Sequence, residues 1–434
     1  MKFNRFLLAL IVPAMMIGCQ KPDTPQEDPT PDPPKPETPV TPTPDPTPEV
    51  ELAPEIKSGD CVLAPNKYAE EFVKNVTYPD RDYTYSVVLD YHGGYNGKLA
   101  EGESVNSDKS SEYTIRWEAN EAEGKLQLVL SEQETGWSMT KEITAGSNYV
   151  DVNNLTPNVH YTYKVTSIEK GTVMTEGNFT TYGHIRQVFF KTRVRNGRDM
   201  GGWLTYDGKM VKYHKVYRTG RWESSTMANS GKKAIIAEGI KAQLDLRNTS
   251  DVLDAPAIEG MDFCAPLIET GGDSMLKAEK GDKTRQCMQF IIDCVKADKP
   301  VVYHCSLGRD RTGTLGMIIL GLLDVVEGDI SKEYEVTYFS PRGWSIASSE
   351  TYKTFQNLRT TWAYKPAAEY IWAGKYPNAT YEFNDDKESP DYTPFSVRIE
   401  KYLLDIGISQ ADIDAFRELM LTEPYADLTP ATAE

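Results

Sequence analysis

The feature that most constrains this chain is a strand, a short loop and a helix in immediate succession. The apolar segment Val301–His304 leads to Cys305, and Arg311 follows this cysteine by six positions. The next apolar residues have the density of a buried helix: Leu315, Met317, Ile318, Ile319, Leu322 and Leu323. A loop that feeds a helix N-terminus presents backbone N–H groups and the positive end of the helix dipole to an anion. The pattern therefore predicts an anion-binding loop with a cysteine at its base.

The residue types in this loop suit phosphate chemistry. Cysteine is a nucleophile only as a thiolate, and because its ordinary pKa is about 8.5, the site must stabilise negative charge. Gly308 can adopt backbone conformations closed to other residues, so that the loop N–H groups can converge. Arg311 offers a planar pair of donors that matches two phosphate oxygens. Thr312 can donate its hydroxyl to the sulfur and so ease the departure of the sulfur. The predicted phosphate-binding residues are Ser306, Leu307, Gly308, Arg309, Asp310 and Arg311.

The segment Cys305–Arg311, flanked by His304 and Thr312, resembles the Cys-x5-Arg signature of the protein-tyrosine phosphatase superfamily. Within that superfamily, Gly308–Gly313 is similar to a bacterial branch that acts on phosphotyrosine and also on phosphoinositides. That branch usually has lysine at the position of Arg309. Three further motifs of the branch have counterparts here in the same order: Asn196–Trp203, Val216–Arg221 and Leu244–Arg247. The resemblance covers residues 185–425 and implies an α/β catalytic domain, which we assign to residues 183–434.

The resemblance implies hydrolysis of a phosphomonoester without a metal or an organic cofactor. Cys305 would attack phosphorus, and water would hydrolyse the resulting phosphocysteine. Arg311 and the loop N–H groups would stabilise the transition state. The leaving group also needs a general acid, which better-known members supply from a Trp-Pro-Asp loop, and this sequence is absent from the chain. In the bacterial branch the loop aspartate is implicated instead, here Asp310, with Asp245 as the alternative.

Other polar residues near these motifs have two explanations each. His304 is expected to brace the loop by hydrogen bonding, although it could be an ordinary histidine at a strand end. Arg309 is either solvated or placed to contact a second phosphate. Asp245 and Arg247 form either a structural ion pair or part of the site, and we favour the ion pair. Three arginines near glycine-rich turns suit an anion-lined cleft: Arg198, Arg218 and Arg221.

The N-terminus predicts export and anchoring. Lys2 and Arg5 precede an apolar run, Phe6–Ile17, which is too short to span a bilayer but suits a secretion signal. Met16–Cys19 resembles a bacterial lipobox, which implies cleavage before Cys19 and attachment of lipid to its thiol; the alternative is a simple signal peptide over residues 1–19. Residues 20–50 contain twelve prolines and predict an extended tether. We therefore expect a lipid-anchored protein of the bacterial cell envelope.

The region between tether and catalytic domain predicts β-structure. Residues 51–107 carry at least one strand, at Tyr83–Leu89, and their assignment is open. Leu155–Val165 resembles the L-x-P-x-x-x-Y-x-Y-x-V corner of fibronectin type III domains, with Trp117 in the place of the core tryptophan. We therefore expect residues 108–182 to form an immunoglobulin-like sandwich. Its stripe of Tyr and Trp residues is either core or a carbohydrate platform, and strand spacing favours the core.

Charge and cysteine usage exclude some functions. A net charge of −17 argues against nucleic-acid binding, and the five histidines lack the spacing of metal ligands. Cys287 and Cys294 are two turns apart on the core face of one predicted helix, too far apart for a disulfide. A helical hairpin is predicted over residues 396–421, with Ser409 as an N-cap.

The leading functional hypothesis is a phosphatase for phosphotyrosine in proteins, with phosphoinositides or inositol phosphates as the alternative substrates. A competing class is a surface interaction protein whose phosphatase domain is vestigial. A sulfurtransferase would share the cysteine, but the complete loop sequence favours phosphate.

Overall fold

The computed structural model describes residues 61–63, 67–75, 110–190, 194–222, 227–340 and 363–425. The predicted signal peptide with Cys19, the tether and the strand at Tyr83–Leu89 lie outside the described residues. Within the described ranges, no helix combines the length and the apolar character needed to cross a bilayer.

The N-terminal β-rich part (residues 110–182) contains two sheets that share one core. One sheet has the strand order β1-β7-β6-β3-β4, in which β1 is parallel to β7 and the other neighbours are antiparallel. In the second sheet, β2 pairs with β5. The strands are β1 (Cys61–Leu63), β2 (Glu112–Arg116), β3 (Leu126–Glu132), β4 (Ser138–Ile143), β5 (Tyr149–Asn153), β6 (His160–Ser167) and β7 (Val173–Tyr182).

Alternating burial produces the core of the β-rich part. Leu126, Leu128 and Leu130 are buried while their neighbours Gln127 and Val129 are exposed, as the alternation in the sequence predicts. Aromatic residues from both sheets meet in this core, where the rings of Tyr113 and Phe179 stack with 3.8 Å between centroids. The aromatic stripe therefore contributes to the core, although Trp117 is only partly buried against it.

The C-terminal part (residues 183–425) is built on a sheet with the strand order β12-β11-β13-β10-β8. The first four strands are parallel and β8 is antiparallel to β10. The strands are β8 (Arg198–Asp199), β9 (Met210–Val211), β10 (Val216–Thr219), β11 (Ala242–Asp245), β12 (Asp262–Cys264), β13 (Val301–His304) and β14 (Leu421–Thr422), of which β9 and β14 pair separately.

Helices cover this sheet. They are α1 (Lys67–Asn75), α2 (Asn229–Ala237), α3 (Asp273–Lys277), α4 (Asp282–Lys296), α5 (Asp310–Leu322), α6 (Glu327–Glu335), α7 (Tyr364–Ala373), α8 (Phe395–Asp405) and α9 (Gln410–Met420). Helix α5 is apolar on all sides and buried along almost its whole length, as expected of a helix in the centre of a core. In α4, Cys287 and Cys294 are both buried, as the spacing predicts. The hairpin of α8 and α9 is also confirmed, and the side chain of Ser409 accepts a hydrogen bond from Asp412 N.

The segment before residue 108 contributes to both parts. Strand β1 extends the larger N-terminal sheet by pairing with β7. Helix α1 instead lies in the core of the C-terminal part, where Phe72 contacts Phe339 with 5.4 Å between ring centroids. Strand β1 and helix α1 therefore belong to different parts of the structure.

A buried charged network joins the β-rich part to the C-terminal sheet. Glu132, at the end of β3, pairs with His214 at 2.8 Å, and Trp137 stacks on the His214 ring at 5.1 Å. On the other side of the junction, Arg186 pairs with Asp199 of β8 at 3.0 Å. We call these groups, together with Glu238, the junction network. Since every charged side chain in it is buried, its charges stabilise the fold only while each is paired.

Candidate active site

Parallel strands bring the candidate residues to one edge of the C-terminal sheet. Strand β13 lies between β10 and β11, and His304 is in register with Thr219 and with Asp245. The carboxyl ends of these strands therefore meet, which is where ligands bind in open α/β sheets. Cys305 is the first residue beyond β13 and is 3% exposed. The sequence-predicted nucleophile thus lies at the base of the site.

The loop after Cys305 requires glycine at one position. Gly308 has φ +71, and a Cβ there would come within 2.6 Å of the Thr219 carbonyl oxygen. Both the backbone conformation and the space exclude larger residues. After this turn the chain enters α5 at Asp310. The N-terminal amides of this thirteen-residue helix lie beside the loop and favour an anion.

Arg311 and Thr312 retain binding capacity for that anion. Arg311 donates Nη1 to the carbonyl oxygens of Ile268 at 2.9 Å and Leu246 at 3.3 Å, which hold its guanidinium in place. Across the described residues it has no carboxylate partner, so its charge is not neutralised by an acidic side chain. The Thr312 hydroxyl is buried and has no hydrogen-bond partner in the described part of the chain, which suits its predicted role as a donor to the sulfur.

A buried set of polar side chains holds the loop from beneath. The carbonyl oxygen of Gly308 accepts from Arg218 Nη2 at 2.6 Å and from Asn196 Nδ2 at 3.0 Å. Glu333 of α6 pairs with both Arg218 and Arg198. Arg198 and Arg218 are 2% and 0% exposed, so they do not line an open cleft. The expectation of a cleft lined by these two arginines is wrong, because they brace the loop internally.

His304 is a neutral brace in this arrangement. Burial lowers its pKa to about 4. Gln243 Oε1 accepts from Ala257 N at 2.7 Å, which orients the amide so that Gln243 Nε2 donates to His304 Nε2 at 2.9 Å. The proton of the ring therefore lies on Nδ1, which faces the carbonyl oxygen of Cys305 at 3.4 Å. The predicted bracing role is thus directed at the backbone of Cys305 itself.

Asp245 and Arg247 form a buried ion pair, as favoured from the sequence. Their side chains are fully buried, with Arg247 Nη2 at 2.8 Å from Asp245 Oδ2. Burial acts to raise the pKa of Asp245, but hydrogen bonds from Arg247 and the nearby His304 outweigh it and leave this pKa below its ordinary value. Asp245 also accepts from Leu253 N at 3.1 Å. These contacts hold the fully buried Asp245 oriented into the protein, where a leaving group cannot reach it, which disfavours it as the acid.

Asp310 and Arg309 pair with each other on the loop. Arg309 Nε and Nη2 each lie 3.0 Å from one oxygen of Asp310. The Asp310 oxygen that faces Nε also accepts from Tyr334 Oη at 3.3 Å. Arg309 is 7% exposed, so the alternative in which it is solvated is wrong. Asp310 keeps 31% of its side chain exposed and is thus the candidate acid that a substrate can reach.

A second pair lies beside the loop at Ser306. Arg221 Nη2 is 2.5 Å from each oxygen of Asp251, and Ser306 Oγ donates to Asp251 at 2.7 Å. Arg221 also donates its backbone N–H to the Ser306 carbonyl oxygen at 3.2 Å. The side chains of Arg221 and Asp251 are 38% and 29% exposed. Of the predicted cleft arginines, Arg221 is therefore the one next to the accessible face of the loop.

Residues 191–422 match the model of the tyrosine phosphatase family. The chain belongs to this family. A Cupriavidus necator protein, which is named provisionally as a tyrosine-protein phosphatase, is 24% identical to this chain over an alignment of 164 residues. The alignment covers 32% of this chain and 59% of the relative. The chain thus spans less than two thirds of the length of that relative.

This member of the tyrosine phosphatase family also contains polar residues near the loop that the sequence motifs did not single out. Glu333 comes 22 positions after Arg311 on a separate helix, and no local pattern links it to the loop. Asp251 follows the Leu244–Arg247 motif. Its spacing of four residues from Arg247 is the signal in the sequence that indicates a contact between these two side chains. Gln243, inside β11, is a buried amide between the apolar residues Ala242 and Leu244, which is itself a sign of a specific hydrogen-bond partner.

Three other thiols in the described part of the chain, those of Cys264, Cys287 and Cys294, are partly or fully buried. Burial raises the pKa of Cys264 and Cys287 and raises that of Cys294 to about 12, so these thiols stay protonated. Among the described residues, no group of three or more His, Cys, Asp or Glu side chains is placed to hold a metal ion.

Proposed function

We propose that this chain is a phosphomonoester hydrolase that works through a phosphocysteine intermediate, with phosphotyrosine in proteins as its substrate class. The observation that carries the proposal is Cys305 at the base of a loop that is closed by Arg311, whose charge no described carboxylate neutralises. Family membership supports phosphatase chemistry. The name of the Cupriavidus necator relative agrees with the substrate class.

In the proposed reaction, the Cys305 thiolate attacks phosphorus as the bond from phosphorus to the leaving oxygen breaks. Arg311 and the loop N–H groups bind the equatorial oxygens, and these contacts strengthen as charge moves onto the oxygens in the transition state. Water then attacks the phosphocysteine, the phosphorus–sulfur bond breaks, and the thiolate is regenerated with release of phosphate. The Thr312 hydroxyl donates to the departing sulfur.

We assign Asp310 as the general acid that protonates the leaving oxygen. In the structure both of its oxygens contact Arg309, so one must turn toward the leaving group during turnover. Asp245, the alternative, is fully buried in its pair with Arg247. Asp310→Asn should slow hydrolysis of an alkyl phosphate far more than hydrolysis of 4-nitrophenyl phosphate, because 4-nitrophenolate leaves without a proton. If Asp245→Asn shows this selective loss and Asp310→Asn does not, the assignment is reversed.

The test of the reaction itself is turnover in the presence of a chelator. The purified chain should hydrolyse 4-nitrophenyl phosphate and a phosphotyrosine peptide in EDTA, and Cys305→Ser should remove turnover while leaving phosphate binding intact. Cys294→Ser is the matched control, since that thiol is buried in α4. An absolute requirement for added metal, or full activity of Cys305→Ser, would contradict the mechanism. Phosphoinositide vesicles and inositol phosphates, assayed in parallel, test the alternative substrate class.

We further infer that the protein is a lipoprotein of the cell envelope, held through Cys19, with the phosphatase behind a proline-rich tether. Growth of the native host with a labelled fatty acid should label the protein, and Cys19→Ser should lose the label. Retention of label by this variant would exclude Cys19 as the anchor.

The β-rich part is proposed to be a fibronectin type III-like module. This is supported by Tyr161, whose hydroxyl accepts from Thr156 N at 2.8 Å, because a tyrosine that hydrogen-bonds the backbone a few residues upstream is typical of such sandwiches. The competing function, an interaction protein with a vestigial phosphatase domain, is disfavoured by the retained nucleophile, arginine and hydroxyl. The turnover assay decides between them.

A further inference from the structure

In the described part of the chain, five arginines other than Arg311 contact or brace the loop or its supports, and each is paired with a carboxylate. Arg198 and Arg218 share Glu333, and Arg247 pairs with Asp245 beneath the sheet edge. These three arginines are almost fully buried and cannot reach a ligand. The charge that they carry therefore supports the loop and adds little attraction for groups outside it.

Two further pairs lie on the loop and beside it. Arg309 is held by both oxygens of Asp310, and Arg221 is held by both oxygens of Asp251. A second phosphate on the substrate could contact either arginine only by displacing a carboxylate from it. Until then each arginine and its carboxylate form a pair without net charge, which offers a second phosphate little attraction.

Of these two carboxylates, Asp251 is the one that is not assigned to the reaction, and its side chain is 29% exposed. It is anchored by Arg221 and by the Ser306 hydroxyl, and Arg247 Nη1 lies 3.8 Å away. Burial acts to raise its pKa, but the hydrogen bonds from Ser306 and Arg221 outweigh burial and lower it, so the carboxylate is charged at neutral pH. It thus places a fixed negative charge next to the first residue of the loop after Cys305.

We propose that Asp251 is a specificity-determining residue, which neutralises Arg221 and so withholds the charge of this arginine from any phosphate adjacent to the one in the loop. The site would then favour isolated phosphomonoesters over polyphosphorylated ligands such as inositol polyphosphates. This inference rests on the proposed function, since it assumes that the loop binds the reacting phosphate. The inference also gives a role to the pairing of Arg309 and Arg221. Because each arginine is held by a carboxylate, neither binds a second phosphate, and the site accepts a single phosphate.

The experiment compares binding of two probes, inorganic phosphate and inositol hexakisphosphate, by calorimetry on the full chain and its variants. The effect of Asp251 on the phosphate in the loop is common to both probes, so the ratio of the two affinities reports on the neighbouring phosphates alone. Asp251→Asn should raise the affinity for inositol hexakisphosphate by about tenfold relative to that for phosphate, and high salt should reduce this gain. Asp254→Asn, an exposed aspartate in the same segment, is the matched control and should leave the ratio unchanged.

An unchanged ratio in Asp251→Asn, or an equal shift in the control, overturns the inference. Arg221→Gln provides a second route if Asp251→Asn does not fold. It leaves Asp251 without its cation and should weaken hexakisphosphate binding more than phosphate binding, and an equal loss for both probes again overturns the inference. The proposed function is judged separately, by turnover of 4-nitrophenyl phosphate by the wild-type chain, so that failure of one is distinguishable from failure of the other.

Discussion

Neutralising Glu132 should destabilise the junction between the β-rich part and the C-terminal part. Its carboxylate accepts from Tyr161 Oη at 2.5 Å, Thr156 Oγ1 at 2.7 Å and His214 Nε2 at 2.8 Å. Burial acts to raise the pKa of Glu132, but the charge and hydrogen bond of His214 outweigh it and lower this pKa from 4.5 to about 2. That difference corresponds to about 3 kcal/mol in favour of the charged carboxylate in the folded chain. Glu132→Gln should therefore cost about 3 kcal/mol of folding stability at pH 6.

The assay is urea unfolding at pH 6, monitored by tryptophan fluorescence, since Trp137 stacks on His214 within the network. Glu142→Gln is the matched control. Glu142 lies on β4, its side chain is 61% exposed, and it pairs with Lys125, so its loss should cost less than about 0.5 kcal/mol. A cost below about 1 kcal/mol for Glu132→Gln would show that the junction network does not stabilise the fold in the way argued.

The same pair predicts how stability depends on pH. Because the folded pKa of Glu132 is lowered, its contribution is complete above about pH 4.5 and is lost as pH falls toward 2. Burial acts to lower the pKa of His214, but the charge of Glu132 outweighs burial and raises this pKa above 6.5. The contribution of His214 to folding stability is therefore complete below pH 6.5 and is lost as the pH rises through the raised pKa. The pair should contribute most between about pH 4.5 and 6.5. In Glu132→Gln, folding stability should fall less as the pH rises above 6.5. An unchanged dependence of stability on pH would refute the attribution of this loss to the Glu132–His214 pair.

Three substitutions test the loop. Gly308→Ala should lower kcat/KM for 4-nitrophenyl phosphate at least about 100-fold, because the backbone φ of +71 is unfavourable for alanine and the new Cβ would clash with Thr219. Gly136→Ala is the control: this glycine has φ +69 and open space around it, so the substitution should cost only about 1 kcal/mol of stability. Glu333→Gln leaves two buried arginines without a carboxylate and should cost about 3 kcal/mol in urea unfolding together with a fall in kcat. Arg311→Lys keeps the charge but loses the paired donors, so kcat should fall about 100-fold, and near-normal kcat would argue against bidentate binding.

The local part of the site could be predicted from the sequence, whereas its supports could not. Strand, loop and helix are contiguous, so their order alone places Cys305 and Arg311 and requires glycine at position 308. Arg198 was assigned to an anion-lined cleft because a sequence shows the arginine but not its partner. Glu333, which pairs with it, is 135 residues further along the chain. For Arg309, the choice between solvation and contact with a second phosphate depends on the direction of its side chain. The sequence does not show this direction, which is determined by the pairing of Arg309 with the adjacent Asp310.

The β-rich part shows the same limit at larger scale. Alternation of apolar and polar residues predicts individual strands such as β3, since that period reports directly on which face is buried. It carries no information on which distant strand pairs with which, so the sequence alone does not show that β1 pairs with β7. Docking of α1 into the other core likewise depends on tertiary packing.

Strand β8 links the junction network to the support of the loop. Its two residues are adjacent and point to opposite faces, so that Asp199 pairs with Arg186 in the network while Arg198 pairs with Glu333 beneath the loop. A shift of β8 caused by loss of pairing on one face would move the arginine on the other. We therefore expect Glu132→Gln to lower kcat several-fold under conditions where the variant is fully folded, with KM for 4-nitrophenyl phosphate changing less. Because Glu132 belongs to the β-rich part and cannot contact substrate at the loop, an unchanged kcat would mean that the two faces of β8 are independent and that the β-rich part does not position the active site.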